Sequence, residues 1–248
     1  MRIRPLLFLV TLAPCAWASG APSANNIIKA AMEVWRGESS DGEMTMTIHR
    51  PDWERSMTIH SRTKGLDKSF LIVKAPKKDA GNATLLLDDD MWSYSPRIKR
   101  VIKIPSSMMA QSWMGSDLSN RDITKDTDVI DEYDHTLIGT QKENGHIIYH
   151  IRSIPHEDAP VVWGKEIYSI RDDFLLLEQE FWDQDNQLVK TIRTLEHQVI
   201  NGRPVGTRMR VQDKNKPDEW TELTIDSIQF DVDIDDSVFT VGQLRSAR

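Results

Sequence analysis

Hydrophobic positions recur along this chain with two periods. In "SANNIIKAAMEVWRG", Ile27, Ile28, Ala31, Met32 and Trp35 stack on one face at helical spacing, which predicts an amphipathic helix. Ser23 or Asn25 can cap its start, and Gly37 sits where a helix ends. From Met44 onward the period falls to two. Met44, Met46 and Ile48 alternate with Thr45, Thr47 and His49, and Met57 and Ile59 alternate with Thr58 and His60. "KSFLIVKAP" is apolar on both faces, the pattern of a strand covered on each side. "ATLLLDDD", "MWSYSP" and "IKRVIKIP" follow. After an interruption come "DHTLIGTQ", "HIIYHIRSIP", "WGKEIYSI", "FLLLEQEFW", "QLVKTIRTLEH", "VGTRMRVQDK" and "EWTELTIDSIQF". Turn residues such as Asn144-Gly145 and Asp185-Asn186 separate these segments about every 8 to 12 positions, the rhythm of an antiparallel meander. Ten or more strands in one domain curl, and the concave side must be filled by side chains, a helix or a ligand. The expected class is mainly β with α, in one domain.

The interruption falls between Pro105 and about Asp131. "SSMMAQSWM" has the makings of a helical turn or two, and "SDLSNRDITK" offers a second cap at Ser119 or Asn120. Met108, Met109, Trp113 and Met114 gather apolar, adaptable side chains in one short stretch. Gly115 then permits a hinge, and Ser116 and Asp117 can anchor the segment to backbone amides. The segment reads as a lid over an oily cavity. In the preceding strand, Ile98, Arg100, Ile102 and Ile104 share one face. Arg100 therefore lies on an apolar side, from which its guanidinium could latch the lid through backbone carbonyls.

Charge and ends narrow the function. Arg2 and Arg4 precede a short apolar run and the small-residue site Ala16-Trp17-Ala18, the order of a cleavable secretory leader over residues 1–18. Leu12-Ala13-Pro14-Cys15 imitates a lipoprotein box, but a proline before the cysteine fits it poorly. Cys15 is the only cysteine, so the mature chain would hold neither disulfide nor thiolate ligand. Loss of the leader takes the formal charge from −7 to −9, which argues against nucleic acid as a partner. No nucleophile elbow or phosphate-binding glycine loop occurs, and Ser116-Asp117 with a distant histidine is only a remote hydrolase candidate. His146, His150 and His156 read as solvated histidines, and Asp88–Asp90 and Asp231–Asp236 as solvated acidic turns. No catalytic residue, metal or cofactor is expected.

"MWSYSPRIKRVIKIP", "QSWMGSDLSNRDI", "LLLEQEFWDQDNQLVKTI" and "IDDSVFTVGQL" resemble the outer-membrane lipoprotein-sorting proteins of the LolA-like superfamily, over nearly the whole mature chain. The resemblance implies a half-open β-barrel of about eleven strands with helices over its concave face, spanning residues 19–248. It implies a monomeric periplasmic carrier that shields the acyl chains of lipoproteins or other lipids on their way to the outer membrane. Contacts with membrane proteins would be transient. It also implies that Trp92, Tyr94 and Pro96 lie on the strand leading into the lid, and that Trp113 to Asp117 form the lid. The expected ligand-binding set is Trp92, Tyr94, Ile102, Met108, Met109, Trp113 and Met114, with Arg100, Gly115, Ser116 and Asp117 as hinge or latch. Relatives of this branch are associated with exporters of the RND class, so an accessory subunit of such an exporter is the alternative.

Overall fold

A computed structural model describes residues 22–124, 128–159 and 161–246; the expected leader lies outside them. Helix α1 (Ala24–Arg36) comes first, followed by β1 (Ser39–Arg50), β2 (Trp53–Lys64), β3 (Lys68–Ala75), β4 (Ala83–Leu87), β5 (Asp90–Ser95) and β6 (Arg100–Lys103). A single 3₁₀ turn (Ser106–Met108) and the short helices α2 (Asn120–Thr124) and α3 (Asp128–Asp131) interrupt the strands. Then come β7 (Tyr133–Glu143), β8 (His146–Pro155), β9 (Lys165–Arg171), β10 (Leu176–Trp182), β11 (Leu188–Ile200), β12 (Arg203–Asp213) and β13 (Trp220–Phe230). A 3₁₀ turn (Asp236–Val238) and α4 (Val241–Ser246) complete the described chain.

All thirteen strands form one curved, open antiparallel sheet, two more than the family likeness implies and one for each alternating segment of the sequence. The order β6-β5-β4-β3-β2-β1-β13-β12-β11-β10-β9-β8-β7 makes two meanders, joined where β1 pairs with β13. Turn chemistry sets the hairpins. Asn144-Gly145 and Asn201-Gly202 both adopt positive φ, the backbone that a two-residue hairpin turn requires. In the middle of the sheet β12 and β13 pair only over Arg208–Val211 opposite Thr221–Thr224.

Two groups of elements cover the concave face. The Ser23 hydroxyl accepts from the Asn26 amide at 3.2 Å and caps α1, and Gly37 ends it at φ 66°. The apolar stripe of α1, Ile27, Ile28, Ala31 and Met32, packs on Tyr133, Ile151, Tyr168 and Ile170 from β7, β8 and β9. At the other end, Met109 and Trp113 pack on Met46, Ile48, Met57, Ile59, Leu71, Leu86 and Met91 from β1 to β5. The convex face is covered too. Ile234, Phe239 and Leu244 lie on Phe70, Ile72, Ala83 and Leu85, which explains why "KSFLIVKAP" is apolar on both sides.

Candidate functional site

Between α1 and the 106–124 segment the sheet is not filled by its own side chains. A partly open cavity of about 230 Å³ remains there. Its roof is Ala31, Met32 and Trp35 of α1 with Trp113, Leu118 and Ile123. Its floor comes from Met44, Ile192, Met209, Val211, Leu223 and Ile225 on β1, β11, β12 and β13. It is larger than the apolar cavities of about 150 Å³ that stay dry and take up benzene.

The segment expected to form a lid is a self-bonded loop fastened at both ends. The Trp113 amide donates to the Leu118 carbonyl at 2.7 Å, and the Ser116 amide to the Trp113 carbonyl at 3.0 Å. Met114 and Gly115 both take positive φ (51° and 81°), so the tight reversal falls where glycine was expected to allow it. The Ser116 hydroxyl donates to the Trp113 carbonyl at 2.7 Å and accepts from the Leu118 amide at 3.2 Å. That commits it to the turn. Trp113, 3% exposed, enters the core and donates its indole N–H to Thr84 at 3.2 Å.

Asp117 is the outer fastening. Its carboxylate accepts from Arg50 Nη1 and Nη2 at 3.1 and 3.0 Å and from the Thr221 hydroxyl at 2.6 Å, while its amide donates to Thr221 Oγ1 at 3.0 Å. Arg50 also reaches Glu219 at 3.3 Å and the His49 carbonyl at 2.7 Å. Side chains of both Arg50 and Asp117 are largely buried, at 15% and 10% exposure. The guanidinium that pairs with Asp117 therefore comes from the end of β1.

The inner fastening is an ion pair. Ser119 and Asp122 form a reciprocal capping box at the start of α2: Asp122 Oδ2 accepts from the Ser119 amide at 2.7 Å, and the Asp122 amide donates to Ser119 Oγ at 3.1 Å. The same Oδ2 accepts from Lys190 Nζ at 2.6 Å. Lys190 is wrapped by aromatic faces, with Phe181 at 4.3 Å and Trp163 at 5.2 Å from Nζ. Burial raises the Asp122 pKa, but Lys190 and the Ser119 donors outweigh it and hold the carboxyl below its ordinary value. Nearby, the fully buried Glu166 accepts from Tyr133 at 2.8 Å, Tyr168 at 2.6 Å and Gln179 at 2.8 Å. Burial and the Glu166 charge push the Tyr168 phenol well above its usual range.

Of the residues expected to bind ligand, Trp113 forms part of the cavity wall. Met109 is buried beside it in the core, Met114 packs at the edge of the same cluster, and Met108 is half-buried in the 3₁₀ turn. Trp92 and Tyr94 are placed on the opposite face, against the cluster of Ile234, Phe239 and Leu244. On β5 it is Met91 that turns toward the lid, so strand alternation sends its neighbours Trp92 and, two further, Tyr94 outward. Ile102 and Arg100 lie on the edge strand β6, where Ile102 is 47% exposed and Arg100 also exposed, and neither lines the cavity. Arg50, Asp122, Lys190 and Thr221 are the site residues that sequence reasoning missed. One signal existed: Lys190 shares a strand face with Leu188 and Ile192, a cation on an apolar side.

Other candidates resolve into fastenings. His146 meets Asp172 at 2.6 Å, and Asp173 comes near enough for the three to share a cation, but Arg171 already holds Asp173 at 2.7 Å. His150 bonds Ser169 at 3.0 Å and His156 meets Asp134 at 3.4 Å. The acidic run Asp231–Asp236 does more than face solvent. Asp231 accepts from the Glu38 amide at 3.0 Å and pairs with Arg203, while Asp236 meets Lys64 and Lys68, each at 3.1 Å. These contacts pin the C-terminal segment to the sheet. Among the described residues no helix is long and apolar enough to cross a membrane.

A DUF1329 family protein from Desulfovibrio piger superposes with a TM-score of 0.81 at 26% identity, over 89% of this chain and 97% of its own. A putative outer membrane lipoprotein-sorting protein domain from Vibrio parahaemolyticus gives 0.78 at 21% identity, over 90% and 98%. A LolA superfamily protein from Nitrosomonas europaea gives 0.75 at 21% identity, over 90% and 100%. No curated protein matches the sequence. Residues 65–246 match the model of a family whose description reads "uncharacterized protein". The chain belongs to that family, and its fold is that of the LolA superfamily.

Proposed function

We propose that this protein is a non-enzymatic periplasmic carrier that takes the acyl chain of a lipoprotein or another lipid into its cavity for transfer toward the outer membrane. The observation that carries the reading is the apolar cavity left between α1 and a lid that is fastened by polar contacts. Each methylene of a tail gains about 0.8 kcal/mol on leaving water, so a sixteen-carbon chain stands at about 12 kcal/mol. Uptake and release then call for a cover that opens, and ion pairs at its two ends let it open without unfolding the sheet. The likeness to a lipoprotein-sorting domain supports the same reading.

The test is a titration with a lipid bearing a fluorescent acyl chain. Saturable binding that Trp113→Asp weakens at least tenfold is expected; a wild-type protein that takes up no such probe contradicts the reading. A second reading, an accessory subunit of an RND-type exporter, is favoured by one feature. On the edge strand β6 and the turn before it, Ile98 and Ile102 are 56% and 47% exposed among Arg97, Lys99 and Arg100, a surface suited to a membrane-protein partner. Retention of an exporter by a variant whose cavity is filled would favour that role.

A further inference from the structure

The cavity wall is mostly apolar; Arg36, Ser69, Gln179 and Thr194 also border it, and at its inner end it meets a carboxylate. Asp122 borders both the main cavity and a side pocket of about 60 Å³ that continues toward Tyr168, Gln179 and Phe181. Its side chain is 3% exposed. The two carboxylate oxygens are in different positions. Oδ2 accepts from Lys190 Nζ, the Ser119 amide and the Ser119 hydroxyl at 2.6, 2.7 and 2.8 Å. Oδ1 is buried and has no partner among the described residues.

A buried acceptor without a donor is costly to the protein that holds it, and more so when it is charged. The capping box and the lysine fix the carboxylate in place, so Oδ1 cannot turn away to find a donor of its own. Charge is already balanced at this end, because Lys190 neutralises Asp122 and is itself enclosed by Phe181 and Trp163. What the site lacks is a donor, not a cation. An anionic head gains nothing there, since the ammonium is taken by Oδ2. At the other side of the cavity Arg36 spends its guanidinium on the Gly65 and Lys68 carbonyls and the Ser69 hydroxyl.

We propose that the cargo is an amphiphile with a neutral hydrogen-bond donor, a hydroxyl or an amide N–H, beside its hydrocarbon tail, and that Asp122 Oδ1 receives that donor. Asp122 is then a specificity-determining residue, selecting among tails that the apolar wall would accept alike. This rests on the carrier reading above, and it narrows the cargo from any acyl chain to one that carries a donor near its head.

The test compares competitors that differ only in the donor. Dodecanol and dodecyl methyl ether displace the fluorescent acyl probe from wild-type protein and from the double variant Asp122→Leu with Lys190→Met. Removing both ions together leaves neither charge buried alone, so the fold is expected to survive. Wild type should prefer the alcohol by about tenfold or more, the range for a hydrogen bond to a charged group. In the double variant the difference between the two competitors should vanish, read as the ratio of their affinities at whatever affinity the probe retains. Equal affinities in wild type overturn the proposal, as does a preference that persists in the double variant. Should that variant not fold, the wild type alone decides with a second pair, N-dodecylacetamide against its N-methyl derivative, where only the first donates. Failure of the probe itself to bind wild type is a separate result, and it removes the carrier reading instead.

Discussion

Arg50 and Asp117, 67 residues apart, join through two parallel hydrogen bonds that tie the 113–118 loop to the end of β1. Forked guanidinium–carboxylate geometry is directional as well as strong, so it fixes where the lid lies as well as that it lies there. Thr221 completes the arrangement by donating to the same carboxylate and accepting from the Asp117 amide. Asp117→Ala should cost about 1.5–3 kcal/mol, because it leaves a largely buried guanidinium short of a partner. Hydrogen exchange should show faster opening of the amides of Trp113 and Ser116, with β7 to β9 unchanged. An unchanged exchange pattern would show that the pair does not hold the lid.

Filling the cavity should separate binding from folding. Leu223 and Ile225 stand on its floor. Leu223→Trp is expected to abolish uptake of an acyl probe while thermal unfolding stays cooperative, since the added bulk enters open space. Trp92→Ala acts on the far face and should leave probe affinity within about twofold, though it loses packing worth on the order of 3 kcal/mol. A loss of binding in Trp92→Ala and not in Leu223→Trp would reverse the assignment of faces.

The two faces also show where the sequence was legible. Alternation located the strands, and the apolar run of β3 announced that both its sides are covered. The stripe of α1 and its cap could be read directly, because both depend on neighbours within four residues. The apolar cluster beside a polar reversal at residues 108–117 could be read as well. Alternation cannot say which face is inside when both are buried. Trp92 and Met91 are equally apolar, and only the C-terminal segment folding back over β3 to β6 decides between them. The partner of Asp117 was hidden for a similar reason. Arg100 stood nearer Asp117 in sequence, whereas Arg50 meets it only because β1 sits at the centre of the sheet.

That C-terminal segment should be structurally important although it is far from the cavity. Phe239 is 3% exposed and packs over the outer face of β3 and β4. Phe239→Ala should destabilise by about 3–5 kcal/mol in chemical denaturation and expose an apolar patch that binds a hydrophobic dye. A change below about 1 kcal/mol would mean that the segment is dispensable.

Acid should weaken the fold before the carboxylates titrate. Burial lowers the pKa of His135, whose ring bonds Ser153 and the Val129 carbonyl, each at 2.7 Å. A depressed folded-state pKa means that the unfolded chain binds the proton more readily. Stability is then full above the unfolded value of about 6.5 and is lost as pH falls through the folded one. The denaturation midpoint should drop on going from about pH 7.5 to about pH 5.5, and His135→Gln should flatten that slope. An identical slope in the variant would remove His135 as its source.

The most direct measurement is native mass spectrometry of the protein purified without detergent from the cells that make it. The account predicts a population carrying the added mass of a lipid, released on denaturation and missing from Leu223→Trp. A wild-type spectrum at the polypeptide mass alone, from protein that also ignores every acyl probe offered, would contradict it.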